Sequence, residues 1–304
     1  MLHSKDTMST DDPSVRLKGA RRYVFLIAKA VEYCARYAGD PRYLFLYLTN
    51  VLKNGYKEEV QFLDEEKFLT VAKQRSTIRF GDGEFGMLLS GKGIHFQKAD
   101  PGLTSRLFNV LGSYEKNSPY LLGVNAQIAI ENQILERYGM KYLFMPQKLG
   151  FRLYANKQAN YFNASYFYID GKARTFIKEV TRGRHPIIVT NATNSERIKA
   201  IHDKLFPESQ SASYVTTPKE NAFAEYDRVL KEIIGVVDTK MSVVLLGCGP
   251  AGKVLVYDLA QKGILAHDMG HGLTFAAEHE SHEHLIKWPE LKDHYHSATK
   301  SSIR

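Results

Sequence analysis

The segment 242–262 constrains the fold of this chain more than any other part of the sequence. Its first five residues (SVVLL) form an apolar run that is typical of a buried strand. The glycine-rich sequence 247–252 (GCGPAG) follows directly, and helical spacing then continues to about Lys262. Residues 264–266 (ILA) have the composition of a further short strand. A strand, a glycine turn, a helix and a strand in this order predict a βαβ unit, and therefore a parallel sheet.

The same alternation of short apolar runs and helical segments extends through the preceding sequence. Further strands are predicted at 76–80, 120–124, 142–145, 186–190 and 214–215. Helices are predicted at 42–54, 64–73, 101–114, 127–138, 194–206 and 220–235. This order is typical of an α/β protein, and we expect a Rossmann-like three-layer sandwich.

The amino-terminal part of the chain differs from the rest in charge. Residues 13–57 contain nine lysines and arginines but only two acidic residues, and helical spacing covers 19–38. We therefore predict a basic helical extension over 1–57 and a catalytic α/β domain over 58–275. Residues 276–304 are predicted to be a polar, histidine-rich tail.

Composition limits the partners and the compartment. The 304 residues carry a formal charge of +8, which favours acidic partners such as phosphorylated small molecules or anionic lipid. No nucleic-acid-binding motif accompanies this charge, so no nucleic-acid partner is expected. Cys34 and Cys248 are far apart and indicate a reducing compartment. We expect a cytoplasmic protein whose helix 19–38 either contacts anionic lipid at the inner face of the plasma membrane or packs on the domain.

The sequence 78–84 (IRFGDGE) places two carboxylates after a predicted strand. Asp82 and Glu84 are separated by one glycine, so both can face one side of a turn and bind a hard cation together with diphosphate oxygens. Arg79 offers a second positive charge at the site, or a structural ion pair at the end of the strand. The alternative for the whole segment is an exposed acidic turn, because Asp-Gly is common in turns.

The glycine turn 247–252 has two functional interpretations. Backbone amides at the start of the following helix attract phosphate groups. With Asp268 as a ribose-binding acid, the turn satisfies the dinucleotide fingerprint of an NAD(P)-type oxidoreductase. Few residues remain after it for a complete dinucleotide-binding domain, however, and Pro250 is unusual within that fingerprint. A turn that binds no ligand is the third possibility.

Histidines are concentrated near the carboxyl end of the chain, but their spacing matches no tetrahedral zinc site. His279, His282 and His284 fall in the polar tail. His271 follows a predicted strand end between two glycines, so it is the histidine with the best claim to a functional role. A structural role for His271 remains the alternative.

Three blocks of sequence resemble the bacterial glycosyltransferases with the GT-D fold, formerly a domain of unknown function. The blocks are 78–84 (IRFGDGE), 217–223 (TPKENAF) and the region 246–272, and the resemblance covers about 60–275. It implies a UDP-sugar donor, a divalent cation (Mn²⁺ or Mg²⁺) and a Rossmann-like core. It also implies a glycan, glycolipid or glycoprotein acceptor in surface-glycan assembly.

The resemblance assigns roles to particular residues. Asp82 and Glu84 are the metal ligands that the resemblance implies. Arg79, as a second positive charge, and His271 are the further catalytic candidates in this interpretation. The implied donor-binding residues are Gly247, Gly249, Pro250, Gly252, Asn221, Pro218 and Asp268. His271 and Glu84 are the candidates for the general base. Besides the oxidoreductase, the remaining alternative is a non-enzymatic protein that binds glycan or nucleic acid through its basic amino-terminal region.

Overall fold

A computed structural model describes residues 41–278, apart from residues 138 and 170, together with Val24 and Ala28. Its centre is one sheet of eight parallel strands. The strands are β1 (Gln61–Phe62), β2 (Ser76–Phe80), β3 (Tyr120–Val124), β4 (Asn160–Asn163), β5 (His185–Asn191), β6 (Ser213–Thr217), β7 (Ser242–Gly247) and β8 (Ala266–Asp268). Their order across the sheet is β1-β4-β3-β2-β8-β7-β5-β6.

Helices join these strands and cover the sheet. They are α1 (Pro41–Asn50), α2 (Glu65–Ala72), α3 (Asp82–Ser90), α4 (Pro101–Gly112), α5 (Asn132–Arg137), α6 (Lys141–Tyr154), α7 (Lys172–Thr181), α8 (Ala192–Ala200), α9 (His202–Leu205), α10 (Tyr226–Val236), α11 (Gly249–Gln261) and α12 (Gly272–Glu278). Short 3₁₀ helices lie at Ala126–Ala129, Ala164–Tyr168 and Ala222–Glu225. The predicted α/β class with a Rossmann-like layered sandwich is confirmed.

The central strands are buried on both faces; β3 and β7 are mainly apolar, whereas β2 also buries Ser76, Thr77 and Arg79. All five residues of β2 and all five of β3 are buried, and so are the first five residues of β7. Parallel strands covered on both sides carry continuous apolar runs instead of an apolar–polar alternation. The sequence pattern therefore located these strands correctly.

Strand pairing brings three separate parts of the chain together at one edge of the sheet. Thr77 of β2 pairs with His267 of β8, and Leu246 of β7 pairs with Asp268 of β8. Because the three strands are parallel and adjacent, the segments that follow β2, β7 and β8 leave the sheet side by side. The carboxyl edge of a parallel sheet is where such folds bind ligands.

One predicted strand is wrong. Residues 142–145 lie within the 14-residue helix α6, which packs against α3 and α1. A short apolar run does not distinguish a buried helix from a buried strand. The helix that forms also buries Lys148. The Lys148 ammonium donates hydrogen bonds to the carbonyl oxygens of Tyr56 (3.0 Å) and Ile130 (2.6 Å), and to Oδ1 of Asn132 (2.9 Å).

Other predicted boundaries move in ways that affect the site. The last strand is 266–268 instead of 264–266, so Asp268 ends the strand rather than following it. Asp82 and Glu84 lie in the first turn of α3 instead of in a free turn. The predicted helix 127–138 divides into a 3₁₀ turn and the short helix α5.

Several predictions concern parts of the chain outside the described residues. In the predicted helix 19–38, Val24 and Ala28 are helical and the other positions are not described. The tail beyond residue 278 is not described either. Within the described part of the chain, no helix is both long and apolar enough to cross a membrane.

Candidate functional site

The Asp82–Glu84 segment follows β2 and begins helix α3. The Gly81 amide donates a hydrogen bond to Oε2 of Glu84 (2.8 Å), which is the reciprocal half of a capping box. This bond turns the Glu84 side chain back into the protein, where it is buried, whereas Asp82 is exposed. The two carboxylates thus have different surroundings although one residue separates them.

Lys253 of α11 connects the Asp82–Glu84 segment to β8. Its ammonium lies 3.1 Å from Oε1 of Glu84 and 3.2 Å from Oδ2 of Asp268, and it donates to the Gly249 carbonyl oxygen at 3.3 Å. Only 3% of the lysine residue is exposed, and Asp268 is fully buried. An ammonium held by two buried carboxylates joins the end of β8, the start of α3 and the start of α11.

Arg79 is the second buried cation at this edge of the sheet. Its backbone amide donates to Oδ2 of Asp268 (3.2 Å), and its Nε lies 3.7 Å from the same oxygen. The guanidinium lies 5.5 Å from the ring centre of Phe167 and 5.1 Å from that of Tyr168. Gly270 has a φ of +49°, and a Cβ there would lie 2.0 Å from the arginine Nη2. The arginine therefore packs directly on the backbone after β8.

We call the four buried charged residues Arg79, Glu84, Lys253 and Asp268 the ionic cluster. It contains two positive and two negative groups, so it has no formal net charge. Both Asp268 oxygens are engaged, because Oδ1 also accepts a hydrogen bond from the Gly270 amide at 3.1 Å. A ribose-binding acid of a dinucleotide site must present its carboxylate to the ligand. Asp268 instead holds the cations of the cluster, which argues against the oxidoreductase interpretation.

The electrostatics of the site keep its lysine charged. Burial by itself lowers the pKa of Lys253, but the carboxylates of Asp268 and Glu84 outweigh burial and raise that pKa above its usual value. Limited hydration and the negative charge of Glu84 raise the pKa of Asp82. Limited hydration, together with the charges of Arg79 and Lys253, lowers the pKa of His271. This histidine is therefore a neutral imidazole at pH 7.

Neighbouring protein atoms leave little room for a side chain at the three glycines of the 247–252 turn. Gly249 begins α11 with a φ of +63°, and a Cβ there would lie 2.6 Å from the ring of Phe96. A Cβ at Gly247 would lie 3.1 Å from Leu273, and one at Gly252 would lie 3.1 Å from the Cys248 sulfur. Close packing thus accounts for all three glycines without a ligand.

Two further residues of the turn are buried. Pro250 occupies the first turn of α11, where a missing backbone donor costs nothing. Burial raises the pKa of Cys248 to about 12, so its thiol does not ionise near neutral pH. Neither side chain is available for chemistry. What the turn offers a ligand is the amino terminus of a 13-residue helix.

Asn221 and Pro218 follow β6, which lies at the edge of the sheet and is separated from β7 by β5. Asn221 has a φ of 56° and is the only non-glycine residue with a positive φ in the described part of the chain. Its Oδ1 accepts a hydrogen bond from the Lys98 amide at 2.7 Å, and its own amide donates to the Phe96 carbonyl at 2.9 Å. Asn221 is therefore connected to the site by its hydrogen bonds to the 91–99 segment. Pro218, three residues earlier in the chain, is half-buried.

The structure therefore brings most of the sequence-predicted residues to one edge of the sheet, but in different ways. Asp268 contacts Arg79 directly and is connected to Glu84 through Lys253. Asp82 and His271 are exposed beside them. Sequence reasoning missed Lys253 and Phe96. The lysine had a recognisable signal, since a lysine that follows a glycine turn in the first turns of a helix is typical of phosphate-binding loops. The phenylalanine had none.

The predicted metal ligands fit a divalent cation in part. Among the described residues, no group of three or more His, Cys, Asp or Glu side chains is arranged to hold a metal by itself. A Mg²⁺-type site needs only one or two carboxylates when substrate phosphates supply the other oxygens. The exposed Asp82 suits this role. Glu84 already uses one oxygen for the Gly81 amide and the other for Lys253.

Solved structures share this fold. A selenomethionine-substituted structure of domain of unknown function 1792 is 27% identical, covers 70% of this chain and 79% of that chain, and superposes with a TM-score of 0.57. A structure described as the highly conserved domain of unknown function 1792 with a distinct glycosyltransferase fold is 26% identical, with a TM-score of 0.56. It covers 70% of this chain and 79% of that one. The Rossmann-like sheet described above is therefore the GT-D fold.

Curated relatives have sequences that are similar over the same region. "Probable glycosyl transferase Gly" of Streptococcus gordonii is 25% identical over 219 residues, which is 69% of this chain and 31% of that protein. "Glycosyltransferase GlyD" of Streptococcus pneumoniae serotype 4 is 24% identical over 229 residues, covering 70% of this chain and 26% of that protein. The chain thus spans less than a third of the length of either relative.

The family model described as "Glycosyltransferase GT-D fold" matches residues 77–298, which is well over half of the chain. The match begins within β2, contains every element that contributes to the ionic cluster, and agrees with the solved structures. On this evidence, the chain belongs to the glycosyltransferase family with the GT-D fold.

Proposed function

We infer that this protein transfers a sugar from a nucleotide-sugar donor, in particular a UDP-sugar, to a glycan acceptor. The observation that carries this proposal is the position of Lys253. Its buried ammonium lies between Glu84 and Asp268 within the first two turns of α11. A fixed cation beside a helix amino terminus suits the diphosphate of an activated sugar, because both favour negative charge.

The diphosphate is the group that gains negative charge as the bond to the sugar breaks. Lys253 supplies a positive charge whose position is set by two carboxylates, so little reorganisation is needed during the reaction. The guanidinium of Arg79 adds a second positive charge, which is held by Asp268 and by two aromatic rings. The backbone amides at the start of α11 complete the proposed phosphate site.

Asp82 and Glu84 are the proposed ligands of a Mn²⁺ or Mg²⁺ ion. Such an ion, when bound, neutralises charge on the departing nucleotide. Asp82 presents its carboxylate at the surface, and its pKa is raised by limited hydration and by the negative charge of Glu84, which a bound cation would offset. Glu84 is freed for a ligand only where its contact with Lys253 loosens, for instance when the lysine turns to a phosphate.

His271 is the proposed general base for the acceptor hydroxyl. It is exposed and lies shortly after β8. Its lowered pKa keeps the imidazole neutral near pH 7. A neutral imidazole at a cleft accepts a proton from a hydroxyl as that hydroxyl attacks the sugar. Glu84 is less suited to this role because both of its oxygens are engaged.

We also propose that the acceptor belongs to a glycan, glycolipid or glycoprotein of the cell surface, and that the basic amino-terminal region contacts anionic membrane. Three apolar side chains on and after α1 support the membrane proposal. Phe45 is 67% exposed, Leu48 52% and Leu52 54%. Apolar side chains next to a basic segment are typical of helices that lie in a membrane interface.

The test of the donor proposal is thermal denaturation of the full chain with UDP and Mn²⁺, with NAD, and with RNA. Binding to the folded state raises the melting temperature. We expect the melting temperature to rise with UDP plus Mn²⁺ and not with NAD or RNA. We also expect slow release of the sugar from a UDP-sugar on long incubation. A rise with NAD instead would support the oxidoreductase, and a rise only with RNA would support a nucleic-acid-binding protein.

A further inference from the structure

The segment 91–99, which we call the bridging loop, contacts all the separate sequence motifs of the site. Ile94 lies 3.4 Å from the position that a Cβ would take on Gly83. The Phe96 ring lies 2.6 Å from the corresponding position on Gly249, and 6.2 Å from the His271 ring in an edge-to-face arrangement. No sequence motif pointed to this loop.

The bridging loop has a defined conformation of its own. Ile94 and Gln97 exchange backbone hydrogen bonds of 2.8 Å and 3.1 Å. Gln97 is only 4% exposed, and its side-chain oxygen accepts from the Phe223 amide at 3.4 Å. The contacts with Asn221 hold the loop from the other side. These hydrogen bonds fix the conformation of the loop, and they therefore fix the position of the Phe96 ring.

Phe96 lies beside the proposed phosphate site. Its ring packs against Gly249, the first residue of α11, and Lys253 donates to the carbonyl of that same glycine. A nucleoside diphosphate at the helix amino terminus carries its base one ribose beyond the phosphates, so the base can extend to a ring beside this terminus. Phe96 is half-buried, so part of the ring remains open to such a group.

The chemistry around Phe96 favours a flat, apolar surface over a hydroxyl-rich one. The backbone carbonyl of Phe96 and the amide of Lys98 are both bonded to Asn221, so they are engaged within the protein. A sugar that packs its C–H face on an aromatic ring still needs hydrogen-bond partners for its hydroxyls, whereas a nucleobase stacks on such a ring through its π-face alone.

We propose that Phe96 forms the nucleobase subsite of the donor, and that the base of the nucleotide stacks on its ring. This inference rests on the proposed nucleotide-sugar function. In it, Asn221 is a positioning residue that holds Phe96 through the bridging loop and does not itself contact the donor.

The test compares two ligands, UDP and inorganic pyrophosphate, by calorimetry on the full chain in the presence of Mn²⁺. The variants are Phe96→Leu, Phe96→Tyr and the control Phe108→Leu, which removes a half-buried ring that packs on Tyr154 instead. We expect Phe96→Leu to lower the affinity for UDP roughly 5- to 150-fold and to leave the affinity for pyrophosphate unchanged. Phe96→Tyr and Phe108→Leu should both bind UDP like the wild type.

Three results would overturn the inference. Equal or tighter UDP binding by Phe96→Leu would show that the ring only fills or blocks the site. A parallel loss of UDP and pyrophosphate, with a lower melting temperature, would show that Phe96 only supports the fold. If the wild type bound UDP no more tightly than pyrophosphate, the uridine would contribute no affinity and no base subsite would exist. A wild-type protein that binds neither ligand would refute the proposed function itself.

Discussion

Lys253 and Glu84 form a buried ion pair of 3.1 Å between helix α11 and the first turn of helix α3. Asp268 shares the same ammonium at 3.2 Å. A buried charge is tolerated only when it is paired, so these three residues depend on one another. The pair also joins two sequence motifs that lie far apart in the chain, which makes it the natural starting point for experiments.

Replacing the lysine by an uncharged side chain of similar length tests the ion pair. Lys253→Met leaves Glu84 and Asp268 buried beside Arg79 alone, and we expect the free energy of unfolding to fall by about 3–5 kcal/mol. Urea denaturation measures this change. Lys157→Met is the control, because that lysine is exposed. Similar stability of the two variants would mean that Glu84 and Asp268 gain enough water to remain charged without the lysine.

The two proposed metal ligands should respond differently to neutralisation. Asp82→Asn removes an exposed charge, so we expect transfer in the presence of Mn²⁺ to be lost while the melting temperature is unchanged. Glu84→Gln should lose transfer and also lower the melting temperature, because it breaks the contact with Lys253. Transfer assays and thermal denaturation on the same samples separate the two effects. Near-normal turnover by Asp82→Asn would refute the metal assignment.

The proposed base predicts a pH dependence. The pKa of His271 lies below its usual value of about 6.5, so its neutral form persists through neutral pH and is lost only in more acidic solution. We expect kcat/KM to be level near pH 7 and to fall as the pH drops through the lowered pKa. His271→Gln should reduce kcat by about 10²- to 10⁴-fold and remove this acidic limb. An unchanged acidic limb in the variant would assign it to another group.

Gly249 tests whether the glycine turn is shaped by the protein itself. Its φ of +63° costs about 1–2 kcal/mol for a residue with a Cβ, and in Gly249→Ala that Cβ also collides with Phe96. We expect Gly249→Ala to destabilise the wild type more than it destabilises a Phe96→Ala background. A double-mutant cycle of unfolding free energies measures the difference. Additive effects would show that Phe96 moves aside at no cost.

The basic amino-terminal segment should make membrane binding sensitive to salt. Each surface cation contributes about 1 kcal/mol near anionic lipid, so replacing Arg16, Lys18, Arg21 and Arg22 with glutamine should abolish sedimentation with phosphatidylserine vesicles at low salt. The control replaces four exposed lysines elsewhere with glutamine, namely Lys116, Lys157, Lys240 and Lys262. Equal sedimentation of both variants with the wild type, or no sedimentation of the wild type, would contradict membrane contact.

The strand positions could be predicted from the sequence because their apolar runs are continuous. The run 242–246 is buried in a strand as expected, since a parallel sheet with both faces covered requires such runs. Residues 76–80 are also buried in a strand, although Ser76, Thr77 and Arg79 are polar. The similar run 142–145 lies in a helix instead, and Lys148, later in the same helix, is buried and bonded to three oxygen acceptors. Those acceptors come from two other parts of the chain, Tyr56 and the segment 130–132, so no local pattern could reveal them.

The sequence by itself also determined the chemistry available at the site. Asp82, Glu84 and the glycine turn each follow a strand, Arg79 lies near the end of one, and all of them can meet at one edge of a parallel sheet. Tertiary structure decided how these groups are used. The adjacency of β2, β8 and β7 places Lys253 between Glu84 and Asp268, and the bridging loop places Phe96 on Gly249. Pairing between distant strands and packing between distant side chains set these contacts, and neither has a signature in the local sequence.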